Sequence, residues 1–315
     1  MFQVKFFSGI CRGSRRVAAS HRGTAAGWTK PSLVSLRSVA AVCGLAICFP
    51  AALVDAGVAD IRPVAKLDAG YAATLLGIPI GHIHWTIELH DNRFSAAATG
   101  ETAGLLSIFA RGHGAAEAHG SVAGKEPRAT NFTVNYSHGK AVETIKILFG
   151  GGKAKEHLVP PLKPNASLIP LTDASRIGVV DPMSALIVQV PGSGDTATPA
   201  ACNRKIAVFD GHMRYDLGLS FKRMEEVKAA AGYQGPAVVC AINFHPLAGY
   251  DPNRYAIKYL EADSGMELWL APLSGTRLMV PFRVSVPTPI GVGILEATRF
   301  VWTSGTGRAG AVNSN

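Results

Sequence analysis

The sequence predicts a mainly β protein: a curved antiparallel sheet, arranged as an open barrel or β-spiral, with one or two short helices. Two observations predict this fold class. Apolar and polar residues alternate with a period of two in many segments, which is typical of strands with one buried and one solvated face. Helical periodicity, in contrast, is scarce along the chain.

Four segments show the alternation most clearly, and each is predicted to form a strand. In residues 82–89, Ile83, Trp85 and Ile87 alternate with histidine, threonine and glutamate. The other three segments are 131–136, 266–272 and 282–288. Because each segment has a polar side, an antiparallel sheet with one solvated face is favoured over a parallel sheet that is buried on both faces.

Two short segments are candidates for helices. Residues 181–189 begin with Asp181 followed by proline, an arrangement typical of a helix N-terminus. Residues 253–262 are the second candidate. Residues 221–233 are ambiguous, because an alternating, strand-like run that starts at Tyr215 leads into them.

Residues 1–56 have the order of a secretory signal, with basic residues first and an uncharged apolar stretch of 17 residues, 38–54, behind them. The predicted cleavage point is Ala56 or Ala59. An uncleaved membrane anchor is the alternative, although a span needs about 20 residues. Cleavage predicts a periplasmic protein that is not integral to the membrane.

The chain after the signal is interpreted as a single β-rich domain over residues 60–302, followed by a flexible tail over residues 303–315. The stretch 150–170 is rich in glycine and proline and is interpreted as a connection that could divide the molecule. Residues 190–201 are interpreted as a flexible loop. Neither stretch is long enough to require separate domains.

The basic character of the chain is concentrated in the predicted signal. The whole sequence carries a formal charge of +9, but residues 1–56 hold seven Lys/Arg and one acidic residue, which leaves +3 for the remainder. A surface that binds phosphates keeps its positive charge in the folded domain. Nucleic acid is therefore not an expected partner.

The cysteines predict one disulfide bond. Cys11, Cys43 and Cys48 lie in the predicted signal, so Cys202 and Cys240 remain in the exported chain. Two cysteines in an exported protein suggest a bond between them. Two buried thiols are the alternative, and a metal site is disfavoured because no close Cys-x-x-Cys or Cys/His pair accompanies them.

Residues 202–221 contain the densest group of polar side chains, and we interpret their role as structural and not catalytic. Asp210 and Gly211 separate two strand-like runs, which predicts a two-residue type I′ hairpin turn. His212, Arg214 and Asp216 then share one face of the second strand, as a solvated face or a small ion-pair patch. A catalytic role for these residues is the alternative.

Histidines on other strands give only weak candidates for a metal site. His82 and His84 are two residues apart and share a strand face, and His90 would lie on the same face as a third ligand. We prefer to interpret these histidines as solvated residues of the strand. Residues 111–120 contain His113, Glu117 and His119 without the His-Glu-x-x-His spacing of zinc peptidases. We expect no metal ligands, no cofactor and no catalytic residues.

The polar run "CNRKIAVFDGHMRYDL" (202–217), followed by "GPAVVCAINFHPLAGY" (235–250) and "MVPFRVSVPTPIGVGILEATRF" (279–300), resembles a known group of exported bacterial proteins. The group is called domain of unknown function 3108, and the resemblance covers about residues 70–302. It implies no activity, cofactor or catalytic residue. Its β-rich character is similar, more distantly, to the open barrels of outer-membrane lipoprotein carriers.

Three hypotheses for the function follow. The first is a non-enzymatic periplasmic protein that binds a lipid, a lipoprotein or another envelope component in a hydrophobic groove. The second is a structural or protein-interaction module of the cell envelope without a small ligand. The third is a hydrolase, which would lose its activity on changing His212 or Asp216. The first hypothesis is preferred because no acid, base and nucleophile converge in the sequence.

Overall fold

The computed structural model describes residues 65–104, 112–124, 126–138, 141–161, 165–262 and 265–304. The predicted signal and residues 305–315 of the predicted tail lie outside these ranges. Within them the chain forms fifteen strands and one α-helix. The strands are β1 (Ala65–Leu75), β2 (Ile78–His90), β3 (Arg93–Thr102), β4 (Gly112–Ser121), β5 (Arg128–His138), β6 (Ala141–Gly150), β7 (Lys153–Leu158), β8 (Val188–Gln189), β9 (Arg204–Phe209), β10 (Arg214–Lys228), β11 (Ala231–Gly232), β12 (Gln234–Ala248), β13 (Glu267–Pro272), β14 (Leu278–Thr288) and β15 (Gly291–Ser304), and the helix is α1 (Tyr255–Ala262).

The strands form one sheet in the order β7-β6-β5-β4-β3-β2-β1-β15-β14-β13-β12-β10-β9, with β8 beside β14 and β11 beside β15. Every pair is antiparallel except the short β11–β15 pair. Since β1 pairs with both β2 and β15, the two ends of the described chain meet in the middle of the sheet. The sheet is nearly closed into a barrel with one seam, between β7 and β9. This confirms the predicted fold class.

The alternation seen in the sequence corresponds to the two faces of the sheet. In β2, Trp85, Ile87 and Leu89 are buried, whereas His82 and His84 are exposed. The buried residues of β1 to β6 belong to one cluster that also includes Phe282 and Phe300 from β14 and β15. The apolar sides of β1 to β6 therefore pack together with residues of β14 and β15 on the inner face of the barrel.

The connection between β7 and β9 occupies the seam. Gly178 N donates a hydrogen bond to Gly152 O at 2.8 Å, next to the start of β7. On the other side, Val180 N donates to Ala207 O and Phe209 N donates to Val180 O, both at 2.9 Å. This short segment thus contacts both terminal strands, which do not pair directly with each other in the described chain.

One side chain also spans the seam. Arg176 donates to Glu156 Oε1 of β7 from Nε at 3.1 Å and from Nη2 at 2.8 Å. Its guanidinium carbon lies 5.8 Å from the ring centre of Phe209 in β9, within cation–π distance. Nη1 donates to Thr172 O at 2.8 Å. Arg176 therefore ties the two edges of the sheet and the connection together.

We expect Arg176→Ala to lower the free energy of unfolding by about 1–2 kcal/mol, because a charge-assisted bond and the ring contact are lost together. Urea unfolding measures the loss, and a double-mutant cycle with Glu156→Ala isolates the pair. Arg93→Ala, which removes an exposed arginine from β3, is the control and should change stability by less than about 0.5 kcal/mol. Equal stability of the Arg176 and Arg93 variants would show that the seam does not depend on Arg176.

Two local predictions were wrong and one was confirmed. Helix α1 confirms the candidate at 253–262. The candidate at 181–189 forms only a 3₁₀ turn at Ser184–Leu186 followed by β8. The stretch 150–170 is not simply a connection, because the tight turn at Gly151–Gly152 leads into β7. The ambiguous residues 221–233 continue β10 and then form β11.

Candidate functional site

Cys202 and Cys240 form the predicted disulfide bond, with their Cα atoms 5.3 Å apart. Both residues are fully buried in a second apolar cluster, which also contains Leu268, Leu270 and Met279. Cys240 lies in β12 and Cys202 lies just before β9. The bond therefore fixes the connection that precedes β9 to the sheet, rather than linking two paired strands.

Asp210 and Gly211 lie at a hairpin turn as predicted, but the prediction of a two-residue type I′ turn was wrong. Phe209 pairs with Arg214, so the connection has four residues, Asp210–Met213. Only Gly211 has a positive φ, +95°. Asp210 Oδ1 accepts hydrogen bonds from the backbone of His212 at 2.9 Å and of Met213 at 2.8 Å. The aspartate therefore closes the turn with its side chain.

His212 does not lie on a solvated strand face, which corrects the prediction. It belongs to the turn, is buried, and its Nε2 lies 2.8 Å from Pro160 O. The backbone of His212 also approaches Gly249 so closely that a Cβ at that glycine would lie 1.8 Å from His212 O. The turn is thus held from two distant parts of the chain.

Arg214 and Asp216 form the predicted ion-pair patch, although Asp216 is only 3% exposed. Its carboxylate contacts Arg214 Nη1 and Lys205 Nζ, each at 2.6 Å. Burial raises the pKa of Asp216, but the hydrogen bonds from Lys205 and Arg214 outweigh burial and leave the pKa below its usual value. The carboxylate is therefore held ionised between two cations, which suits a structural role.

A second carboxylate, Asp181, was predicted to cap a helix N-terminus, but its complete burial was not predicted. Its Oδ1 accepts hydrogen bonds from the backbone N of Met183 and of Ser184, both at 2.9 Å, and Ser184 Oγ donates to Oδ2 at 2.5 Å. Burial raises its pKa to about 6 despite these bonds. Among the described residues, every buried aspartate, serine and histidine lies between positions 181 and 216. Asp181 and Ser184 belong to the connection that fills the seam, whereas Asp210, His212 and Asp216 belong to the β9–β10 hairpin beside it.

The histidines of β2 and β4 lie on the outer face and are not gathered into a metal site. His84 Nε2 lies 2.8 Å from Asp68 Oδ1, and Arg299 also binds this carboxylate at 2.9 Å. Hydrogen bonding from Arg299 lowers the pKa of Asp68. His113 Nδ1 lies 2.9 Å from Ser137 Oγ. In the part of the chain that the structure describes, no three His, Cys, Asp or Glu side chains are placed to hold a metal ion.

A cleft of about 610 Å³ crosses the strands that carry these histidines, and we call it the histidine cleft. Cross-strand pairs place four of its polar residues in one row, in which His82 pairs with Glu101, Glu101 with His113, and His113 with Ser137. Its lining comes from β1 to β6 and β15: Gly70, Tyr71, residues 82–84, 99–101, 113–115 and 135–137, Val142 and Thr298.

Two tyrosines frame the histidine cleft. Tyr71 is buried and its hydroxyl donates to Pro281 O at 2.7 Å, which links β1 to β14, two strands away in the sheet. The Tyr136 hydroxyl donates to Glu143 in the neighbouring strand. Burial raises the pKa of both hydroxyls, so both stay protonated and act as hydrogen-bond donors. The sequence could not reveal this cleft, because its lining is brought together only by strand pairing.

A second cleft, of about 640 Å³, lies toward the other end of β1 and β2. Its lining includes Asp91, Gln189 and Arg277. Arg277 donates to the backbone carbonyls of Val190 and Pro191, at 3.1 Å and 2.7 Å. The guanidinium of Arg277 is therefore occupied by the connection before β9.

None of the helices in the described ranges has the length and the apolar character that crossing a bilayer requires.

Comparison with curated proteins gives no significant match. Two solved structures are similar to the chain. One is a beta-barrel-like protein of domain of unknown function DUF1849 from Brucella abortus, at 10% identity and a TM-score of 0.44, covering 77% of this chain and 99% of that chain. The other is described as a "putative lipoprotein" from Parabacteroides distasonis ATCC 8503, at 8% identity and a TM-score of 0.31, covering 76% of this chain and 96% of that chain. These values are too low to carry an argument.

The sequence resemblance is confirmed by a family model. The model described as "Protein of unknown function (DUF3108)" matches residues 70–298, which is well over half of the chain. The match includes the polar turn at Asp210, the disulfide and the histidine cleft. The chain therefore belongs to the DUF3108 family of proteins of unknown function.

Proposed function

We propose that this protein is a non-enzymatic binding protein of the cell envelope, exported to the periplasm, and that it binds one lipid-class component in the histidine cleft. The observation that carries the proposal is the cleft itself. Its volume of about 610 Å³ lies within the range of about 300–1,000 Å³ that is usual for small-ligand sites.

The lining of the histidine cleft is amphipathic. Ala115 and Val142 offer apolar surface, whereas His82 and Ser137 offer polar groups, and all four lie on the outer face of the sheet. A ligand with an apolar chain and a polar head group satisfies both kinds of lining, because unpaired polar atoms and solvated apolar atoms are each unfavourable on binding. A lipid has this composition, and the predicted export would bring the protein to the compartment where such ligands are available.

Native mass spectrometry of the protein, purified gently from its own envelope fraction, tests the proposal. We expect a mass increment from a copurifying lipid, and we expect a fluorescent fatty acid to bind the delipidated protein. A bare mass together with a stable protein partner would overturn the proposal in favour of a protein-interaction module. An enzymatic turnover that depends on His212 or Asp216 would overturn it in favour of a hydrolase.

A charge placed in the histidine cleft is expected to weaken binding of the fatty acid at least tenfold. Val142→Asp is suited to this test, because Val142 lines the cleft and is 73% exposed, so the fold tolerates the change. Leu148→Asp is the matched control on the same strand, since Leu148 is 48% exposed and lies outside the cleft lining. Equal affinity of the two variants would place the binding site elsewhere.

A further inference from the structure

Two hairpin turns meet at one end of the sheet. The β1–β2 turn consists of Leu76 and Gly77, and the β14–β15 turn consists of Pro289 and Ile290. Leu76 N donates a hydrogen bond to Val292 O at 3.1 Å. The Leu76 side chain also packs directly on Gly291, where an added Cβ would lie 2.2 Å from Leu76 Cδ2. The two turns therefore form one continuous surface.

This surface is apolar and exposed. Leu76 is 67% exposed, Ile78 is 52%, Ile290 is 53% and Val292 is 44%, and we call these four side chains the apolar tip. The segments that carry them, residues 72–81 and 286–295, contain no charged residue. Exposed apolar side chains scattered singly need no explanation, but a contiguous group at the end of two turns indicates an interaction site.

The backbone conformation at Leu76 does not favour a leucine. Leu76 has a φ of +53° and Gly77 a φ of +78°, so both residues of the turn are in the left-handed region. Asparagine or glycine adopts this conformation at little cost, whereas a branched apolar side chain is strained in it. A strained and exposed leucine is unfavourable for the isolated protein, so its presence points to a partner that accepts it.

We propose that the apolar tip inserts into the hydrocarbon layer of a lipid bilayer and holds the protein reversibly at the membrane surface. This inference goes beyond the proposed function, since none of the four side chains of the apolar tip lines the histidine cleft. A tight turn without charges or long polar side chains matches the chemistry of an acyl-chain layer, in which any charge is costly. Insertion to a depth of about 5–10 Å is typical of such interfacial segments.

The size of the apolar tip argues against a protein partner or a second copy of the chain. Four half-exposed aliphatic side chains present an area on the order of a few hundred Å², the size of the largest apolar patch of a typical monomer. A stable protein interface buries about 800 Å² on each partner. A bilayer has no such minimum, and burial on this scale gives weak, reversible binding with an association constant of about 10⁴ M⁻¹, as one acyl anchor does.

Sedimentation with vesicles of uncharged phosphatidylcholine tests the proposal on the purified exported protein. We expect the wild-type protein to sediment with the vesicles, and we expect Leu76→Asn to reduce its partition coefficient about tenfold and Leu76→Asn with Ile290→Ser to reduce it further. Binding should hardly change with salt concentration, because the apolar tip carries no charge. Leu158→Asn is the control, since Leu158 is 49% exposed in β7, and it should bind as the wild type does.

The same variants separate loss of binding from loss of folding. Leu76→Asn relieves the strain in the turn, so its melting temperature should rise while its vesicle binding falls. Leu76→Asn should also keep its affinity for the fluorescent fatty acid, whereas Val142→Asp should keep its affinity for vesicles. Failure of the wild type to sediment, equal sedimentation of wild type and double variant, or a dimer that Leu76→Asn dissociates would each overturn the bilayer proposal.

Discussion

Replacing Cys202 and Cys240 together with alanine is expected to lower the free energy of unfolding by about 4 kcal/mol. The bond joins residues separated by 38 positions, and closing a loop of this length restricts the unfolded chain by about that amount. Both sulfurs are also fully buried in the second apolar cluster, so the smaller alanines leave space that adds to the loss. Urea unfolding of the oxidised wild type and of the double variant measures the difference.

Reduction of the wild-type protein is the matched control for this prediction. A reducing agent should lower the stability of the wild type toward that of the double variant and should leave the double variant unchanged. We also expect faster amide hydrogen exchange in residues 190–203, because the bond fixes this connection to β12. Equal stability of the wild type under oxidising and reducing conditions would contradict the prediction.

The strands and the disulfide could be predicted because their signals are local or compositional. The alternation in residues 82–89 identifies β2 and also its buried face. The bond between Cys202 and Cys240 follows from having two cysteines in a chain with a predicted export signal. The pairing of β1 with β15 could not be predicted, because nothing in either segment specifies a partner more than 200 residues away.

The turn at Asp210 shows where local interpretation fails. The Asp-Gly pair predicted the position of the turn, but the side chain of Asp210 binds the backbone of His212 and Met213 and lengthens the turn to four residues. The burial of His212 then depends on Pro160 and Gly249, which are distant in sequence. The histidine cleft was missed for the same reason, since each of its residues occupies an ordinary strand position.

Asp181 combines a local role that could be predicted with an environment that could not. The sequence predicts that this side chain caps a helix N-terminus, and it does bind the backbone N of Met183 and of Ser184 at 2.9 Å, although only a 3₁₀ turn follows. Its burial arises from the packing of the connection against the barrel. Because burial opposes ionisation, the pKa of Asp181 is raised from 3.8 to about 6.

This raised pKa predicts that Asp181 makes the protein less stable at pH 7.5 than at pH 5. In the folded protein the carboxyl keeps its proton until about pH 6, whereas in the unfolded chain it loses the proton near pH 4. The stabilisation from proton binding is therefore complete below pH 4 and is lost as the pH rises through 6. A difference of about two pKa units corresponds to a change on the order of 3 kcal/mol.

The variant Asp181→Asn isolates this contribution, because asparagine keeps an oxygen acceptor for the two backbone N–H groups and cannot titrate. The lowered pKa values of Asp68, Asp216 and Glu267 give the opposite dependence, a loss of stability in acid, and they cancel in the difference between the two proteins. We expect the stability of Asp181→Asn minus that of the wild type to rise by about 3 kcal/mol from pH 4 to pH 7.5. Asp195→Asn, at an exposed carboxylate in the loop before Cys202, is the matched control variant. Parallel pH profiles for Asp181→Asn and the wild type would mean that Asp181 ionises alike in both states, and burial would then not control its proton.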